Sequence, residues 1–291
     1  MARPVCLIVN PNAGAGRALR LLPGVEQALR RLGLSFHVER TRSLEHAREL
    51  ARAARAAGEV AAAFGGDGLV GAVAGELRAG DGTLAVLPGG RGNDFARVLG
   101  VPRDAVMACE LLAHGRERLI DVAEVNGAAY LGILSAGLDS DVQAVAATTR
   151  LRLGNGVYLY GALRSLAAWR EARWTVTIDG ERLQFAGYSV AVANSGVFGG
   201  GMRLAPDASL EDGVLDVVLI GNSSRRRYLR GLPRVFKGTH VHDPAIKLLR
   251  GREISFHADR PFTAYADGDP IAELPLTVRV QPHALRVVAP R

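Results

Sequence analysis

AAAFGGDGLVGAVAGEL, residues 61–77, sets an apolar run against two glycines and an aspartate, and then continues with small and aliphatic residues at helical spacing. A short apolar run closed by glycine and followed by a helical pattern reads as a strand–loop–helix unit. The same sequence grammar occurs at VCLIVNPNAGAGR (5–17) and at TLAVLPGGRGNDFAR (83–97). Strands and helices in alternation predict an open, mostly parallel sheet with helices on both faces. Ligands of such sheets bind at the carboxyl ends of the strands, where all three glycine loops fall.

Between these units, ALRLLPGVEQALRRLG (18–33) has helical spacing with an expected break near Pro23 and Gly24. SFHVERT (35–41) alternates as a strand, and SLEHARELARAARAAG (43–58) reads as a helix capped by Ser43 and stopped by Gly58. After about residue 122 the character changes. LIDVAEVNGAAYLGILSAG (119–137) reads as two strands around an Asn126-Gly127 turn, and short strands with Asp-Gly or Gly-Asn turn signals continue to LTVRVQPHALRVVA (276–289). Helix-like stretches at 158–170 and 224–237 interrupt them. The predicted organisation is an α/β domain over residues 1–122 and a mainly β domain over 123–291, whose final segment is open to packing back on the first.

The 291-residue chain is 48% hydrophobic and 22% charged, enough to bury a core. Its formal charge of +7 and pI near 10.0 favour anionic partners. The positive charge is almost all arginine, scattered along the chain without a recognised nucleic-acid-reading module, so nucleic acid is not an expected partner. Two cysteines make no disulfide framework, and the N-terminus runs straight into a strand. A reducing cytoplasm is the expected compartment. No uninterrupted apolar run is long enough to span a bilayer. The sequence leaves a homodimer open.

Each glycine loop supports a chemical and a plainer reading. In NPNAGAGR, Leu19 stands where a dinucleotide fingerprint has its third glycine, which weakens an NAD site. The loop offers N–H groups to a phosphate and Arg17 adds charge, or it is simply a tight turn. In GGDG (65–68), glycines permit close backbone approach while Asp67 faces a metal or hydroxyl, or caps a turn. LPGGRGNDFAR (87–97) repeats the arrangement with Asn93 and Asp94. No GxxxxGK[ST] is present and no lysine precedes Lys237, which excludes the P-loop and protein-kinase solutions.

These motifs, with NSGVFGGGMRLAPDASLEDGVLDV (194–217) and YADGDP (265–270), resemble the diacylglycerol and sphingosine kinase-like lipid kinases, including their bacterial soluble members. The resemblance implies an N-terminal α/β nucleotide domain of the NAD kinase and diacylglycerol kinase type, a β-sandwich-like C-terminal domain, and an active site between them. It implies transfer of the γ-phosphoryl of ATP, with Mg2+, to a lipid hydroxyl, diacylglycerol being the expected acceptor. Asn10 and the loop of Gly14, Gly16 and Arg17 would then border the nucleotide. Gly65, Gly66 and Gly68 would hold phosphates, with Asp67 at the metal or phosphoryl centre. Gly90, Arg91, Asn93 and Asp94 would complete the cleft.

Asp269 matches the family's usual glutamate base with one methylene less. Leu69 and Arg91 stand where the family commonly has threonines; Arg91 would bring charge toward the phosphates, or face solvent. SLEDGVLDV resembles the family's second, structural Mg2+ site, with the Asp212 carboxylate, the Ser209 and Val214 carbonyls, and Asp121 joining through water. His240 and His242 are expected on one strand face, packing or meeting solvent. RRRYLRGLPRVFK (225–237) would place arginines on anionic phospholipid headgroups and apolar groups at the acyl boundary, or be a solvated basic face over a core-facing stripe. VYLYGALRSLAAW and VFGGGMRL are candidate acyl contacts or core. The expected location is cytoplasmic, peripheral at the inner face of the membrane. Two alternatives carry the same motifs: a kinase for a sphingosine-like lipid or, more distantly, NAD, and a catalytically silent nucleotide-binding regulator.

Overall fold

A computed structural model describes residues 3–78, 80–149 and 156–291. The first part runs β1 (Val5–Val9), α1 (Arg17–Arg31), β2 (Phe36–Arg40), α2 (Leu44–Ala56), β3 (Val60–Gly65), α3 (Asp67–Leu77), β4 (Thr83–Pro88) and the short helices α4 (Asp94–Val98), α5 (Ala105–Ala108) and α6 (Glu110–His114). β5 (Arg116–Val125), β6 (Ala128–Tyr130) and β7 (Ile133–Gly137) lead into α7 (Leu138–Thr148) and α8 (Gly156–Ala168). β8 (Ala172–Ile178), β9 (Glu181–Ala193), the small hairpin β10 (Val197–Phe198) and β11 (Met202–Arg203), β12 (Leu215–Gly221) and α9 (Arg225–Lys237) follow. After a 3-10 turn at Thr239–His242, the chain ends in β13 (Ile246–Gly251), β14 (Glu253–Ala258), β15 (Thr263–Ala266), β16 (Asp269–Glu273) and β17 (Leu276–Ala289).

β1, β3 and β4 are buried along their whole lengths and pair in parallel, with β2 on the edge beside β1. The remaining strands pair antiparallel and build the β-rich part. One strand joins the two. β17 pairs with β5 along one edge and, along the other, with β14 and then, at Arg286 and Val287, with β4 in parallel, so a single sheet runs through both parts. Each part keeps its own core: one lies under the parallel strands around Leu7, Ile8, Phe64 and Leu87, the other around Trp174, Tyr130, Phe256 and Val278.

Local signals explain most element ends. The Ser43 hydroxyl accepts from His46 N–H to start α2, and Gly58 follows its end at φ +70°. Asn126 and Gly127, at φ +50° and +82°, close the β5–β6 hairpin. The expected break at Pro23 does not occur: α1 is continuous through it. Pro23 is exposed, so its missing N–H falls on the outer face, while Leu22, Val25, Ala28 and Leu29 are buried on the inner one. That packing outweighs a cost of about 3 kcal/mol for an interior proline.

The parallel register brings the ends of β1, β3 and β4 level, and their loops touch backbone to backbone. Gly89 and Gly90 both donate to the Gly65 carbonyl, at 2.8 and 3.0 Å. A Cβ on Gly90 would lie 2.5 Å from Gly66 Cα, and one on Gly14 would lie 2.6 Å from the Gly89 carbonyl oxygen. Gly90→Ala is therefore expected to cost about 1–3 kcal/mol in urea unfolding and to lower activity by prising the second loop from the third. An unchanged unfolding midpoint would contradict this packing.

Candidate active site

Asp67 opens α3 directly beyond β3. That helix is apolar nearly all round, with Leu69, Val70, Val73, Ala74 and Leu77 buried, so it points its N-terminus at the cleft from inside the core. Its first-turn N–H groups lack intrahelical partners and favour an anion there. Leu69 faces the core and not the cleft; only 2% of it is exposed.

Asp67 Oδ1 accepts from Phe95 N–H at 3.1 Å. Burial pushes its carboxyl upward; the Phe95 N–H opposes that, and the charge of Asp94 adds to it. Asp94 Oδ2 accepts from Gly200 N–H at 2.7 Å, while its Oδ1 is buried without a hydrogen bond and stands 3.8 Å from Arg97 Nε. The two carboxylates converge: a Cβ on Gly92 would sit 3.0 Å from Asp67 Oδ2 and 3.5 Å from Asp94 Oδ2. Two carboxylates converging on a gap that only glycine leaves open, with a further Asp94 oxygen buried and unpartnered beside them, suit a hard divalent cation such as Mg2+.

The other loop residues divide by task. Asn93 sits at φ +51°, and its carboxamide is spent within its own loop, accepting from Gly90 N–H at 2.9 Å and donating to the Gly90 carbonyl at 3.0 Å. Asn10 Oδ1 accepts from Asn12 N–H at 3.0 Å, which shapes the first loop. Gly14 and Gly16 take φ of +58° and +81° ahead of α1. Arg17 and Arg91 are exposed at the loop ends.

The opposite wall comes from the far end of the chain. The β15–β16 hairpin turns at Asp267 and Gly268, with φ of +52° and +98°, and carries exposed Asp269 to Gly68: Asp269 Oδ2 lies 3.9 Å from where a Cβ on Gly68 would be. Asp267, read from sequence only as a turn former, does more. Its carboxylate accepts from the N–H groups of Leu131, Gly132 and Ile133 at 2.9, 2.9 and 3.2 Å. Burial pushes it up to about 6; these N–H groups oppose the rise and the charge of Asp67 adds to it. Buried Asn194 holds the same segment, donating to the Asp121 and Leu131 carbonyls at 3.0 and 3.1 Å. Short polar residues with both φ signs in reach are the only sequence hint of these roles.

Asp121 is fully buried and meets the 209–214 loop: it accepts from Gly213 N–H at 2.7 Å and from His283 N–H at 2.8 Å, and its own N–H donates to the Leu210 carbonyl. Asp212 accepts from Val214 N–H at 3.3 Å, lies 3.7 Å from Arg250 Nη1, and shares that loop with Ser209, whose hydroxyl accepts from Glu211 N–H. Ser209, Asp212, Val214 and Asp121 are thus brought together, but Asp121 already uses both oxygens on backbone N–H groups, and Arg250 competes with a cation for Asp212. The histidines are not on a strand face. They lie in the 3-10 turn, where His240 is buried with Nε2 3.0 Å from the Leu204 carbonyl and His242 is exposed.

Two family models match, the diacylglycerol kinase catalytic domain over residues 4–125 and the YegS C-terminal NAD kinase beta sandwich-like domain over 132–289. The chain belongs to the diacylglycerol kinase family of lipid kinases. A diacylglycerol kinase of Mycobacterium tuberculosis (strain ATCC 25618 / H37Rv) is 32% identical over 99% of this chain and 95% of its own length. One of Bacillus subtilis (strain 168) is 28% identical over 90% and 88%. A YegS-like lipid kinase of Pseudomonas aeruginosa PAO1 is 30% identical over 90% and 87%. Two crystal structures of Bacillus anthracis str. Sterne proteins assigned as diacylglycerol kinases share the fold, with TM-scores of 0.84 and 0.77 at 22% and 21% identity; they cover 99% of this chain and 95% and 97% of the other. The α/β domain with its mostly parallel sheet and the β-sandwich-like C-terminal domain are those of this lipid-kinase family, and its members are enzymes.

Asp267 gives the site a pH dependence. Its folded value near 6 lies above the unfolded value of about 3.9. The native state therefore binds more protons between them, and the stability this group lends is fully present below about 3.9 and lost as pH rises through about 6. Asp267→Asn lacks that loss. Urea unfolding should show the wild-type advantage over the variant shrinking by on the order of 1 kcal/mol from pH 5 to pH 7. A constant difference would mean that Asp267 keeps an ordinary carboxyl.

Proposed function

We propose that this lipid kinase transfers the γ-phosphoryl group of ATP, with Mg2+, to the free hydroxyl of diacylglycerol at a membrane surface, yielding phosphatidic acid. The observation that carries the reading is the approach of Asp269, from the last hairpin, to Gly68 of the GGDG loop, opposite the Asp67–Asp94 pair. Bound between that pair, Mg2+ would offset phosphate charge. The glycine loops and the start of α3 present N–H groups to the phosphates, and Asp67 and Asp94 orient the cation side. Asp269 accepts the acceptor hydroxyl's proton as its oxygen bonds to the γ-phosphorus and the bond to the β-bridging oxygen breaks, releasing ADP. The diacylglycerol kinase names of the M. tuberculosis and B. subtilis relatives favour diacylglycerol over sphingosine-like acceptors.

Label transfer from Mg-ATP to mixed-micelle lipids tests this. Wild type should make labelled phosphatidic acid. Asp67→Asn should abolish transfer, and Asp269→Asn should lower kcat by about 10²–10⁴-fold with partial return in Asp269→Glu. Transfer to a sphingosine-like lipid alone would replace the acceptor, and an unchanged rate in Asp269→Asn would remove it as the base.

Among the described residues no helix is long and apolar enough to cross a membrane; a surface encounter with the lipid calls for an exposed basic face. α9 has none of its residues buried. Arg227 Nη2 pairs with Asp243 at 2.7 Å and Tyr228 donates to Asp139 at 3.2 Å, tying one side down. Tyr228, Leu229 and Val235 pack on the protein, so the apolar stripe mostly faces the fold and not an acyl boundary. Arg226, Arg230, Arg234 and Lys237 remain outward, beside Phe236 at 55% exposure. VFGGGMRL forms the β10–β11 hairpin, with Leu204 buried and Phe198 against the core. In the other candidate acyl stretch Leu166 is buried and Leu163 exposed, while the side chains of residues 157–159 lie outside the described residues.

We infer peripheral binding to anionic phospholipid at the inner face of the membrane through this basic row. At roughly 1 kcal/mol per basic residue near the surface, Arg226→Glu with Arg230→Glu should weaken binding to phosphatidylserine vesicles by roughly tenfold or more. Added salt should weaken the wild type as well. Equal sedimentation of the variant would exclude this face.

A further inference from the structure

We propose that Cys6, His37 and Glu59 form a second cation site, for Zn2+ or another borderline-soft divalent metal, at the end of the parallel sheet opposite the glycine loops. The strand register creates it. Cys6 of β1 lies directly across from His37 of β2 and, on its other side, from Ala61 of β3. Glu59 precedes Ala61 by two residues, so all three side chains share one face of the sheet. One ligand atom from each, a sulfur, an imidazole nitrogen and a carboxylate oxygen, lies within 4.8 Å of the other two, and His37 Nδ1 is 3.7 Å from Glu59 Oε1.

Tetrahedral zinc, with bonds of about 2.0–2.3 Å, holds neighbouring ligand atoms roughly 3.3–3.8 Å apart. Small side-chain adjustments suffice to reach that geometry, and the fourth position is left to water. The thiol, 2% exposed, forms the floor, while His37 lies on the edge strand with 48% of its side chain exposed and so opens an entry path. The local field suits a cation. Glu59 and Glu39 set negative charge beside the thiol and attract a metal, whose bond to sulfur releases the thiol proton to water.

The site is separate from the catalytic cleft. Asn10, just beyond β1, is four residues from Cys6, about 13 Å at strand rise. A metal here would tie edge strand β2, which pairs only with β1 among the described strands, to β1 and the start of β3.

The test is titration of the chelator-treated full chain with Co2+, followed by displacement with Zn2+. Wild type should develop a saturable thiolate-to-cobalt charge-transfer band that Zn2+ removes. Cys6→Ser should lack the band, and His37→Gln, at an exposed position that leaves folding intact, should bind weaker by roughly tenfold or more. At a fixed Zn2+ concentration the melting temperature of the wild type should rise more than that of either variant. Absence of the band in folded wild type, or equal Zn2+ affinity in all three proteins, would overturn the proposal and leave Cys6 a core thiol beside a His37–Glu59 ion pair.

Discussion

Three loops touching through bare backbone set the terms for everything else in this protein. The contacts of Gly14 with Gly89 and of Gly66 with Gly90 have no room for a β-carbon. Their consequence is chemical as well as steric. Loops this close tie the third loop to the second through the Gly65 carbonyl, and they draw α4 near enough for the Phe95 N–H to hold Asp67. The parallel register of β1, β3 and β4 makes the arrangement possible by ending the three strands at one level. Side chains at these positions would separate the loops and, with them, the two acids that converge on Gly92.

The remaining parts of the site are brought in by long-range structure. β17 ties the β-rich part to β4, and the β15–β16 and β10–β11 hairpins then reach the cleft from that side. One sets Asp269 against Gly68; the other fixes Asp94 through Gly200 N–H. Neither half of the chain holds a complete site. Loss of the sheet junction would therefore disassemble the cleft and also loosen the first core, into which Leu285 and Val287 of β17 and Leu210 pack.

How much of this was legible follows from how local each cause is. Glycine loops after apolar runs, the Ser43 cap and the Asn126-Gly127 turn are short-range rules, and the structure follows them. Pro23 was misread because its local cost is overruled by a buried helix face that no short window reveals. The histidines of the 3-10 turn were misplaced for a related reason: alternation over a few residues does not separate a strand from a tight turn. The role of Asp267 was invisible, because its partners at residues 131–133 are brought to it only by the pairing of β15 with β7. The orientation of α9 was undecidable from its amphipathic pattern, which is the same whether the apolar stripe meets lipid or protein.

The four aspartates at the cleft differ in how many of their oxygens the protein already uses, and this separates their tasks. Asp267 has both oxygens occupied by three backbone N–H groups, so it is committed to structure. Asp67 and Asp94 each spend one oxygen on backbone, from Phe95 and Gly200, and their carboxylates lie close enough for the charge of Asp94 to raise that of Asp67, which repels unless a cation intervenes. Asp269 is exposed at the hairpin tip. Under the proposed function the proton acceptor needs an uncommitted lone pair on the acceptor side of the cleft, which exposed Asp269 would offer. Its side chain is short, so its reach depends on the hairpin behind it. Asp267 holds that hairpin two residues away through the 131–133 segment, which Asn194 fixes in turn. Under the proposed function that rigid backbone support would offset the missing methylene.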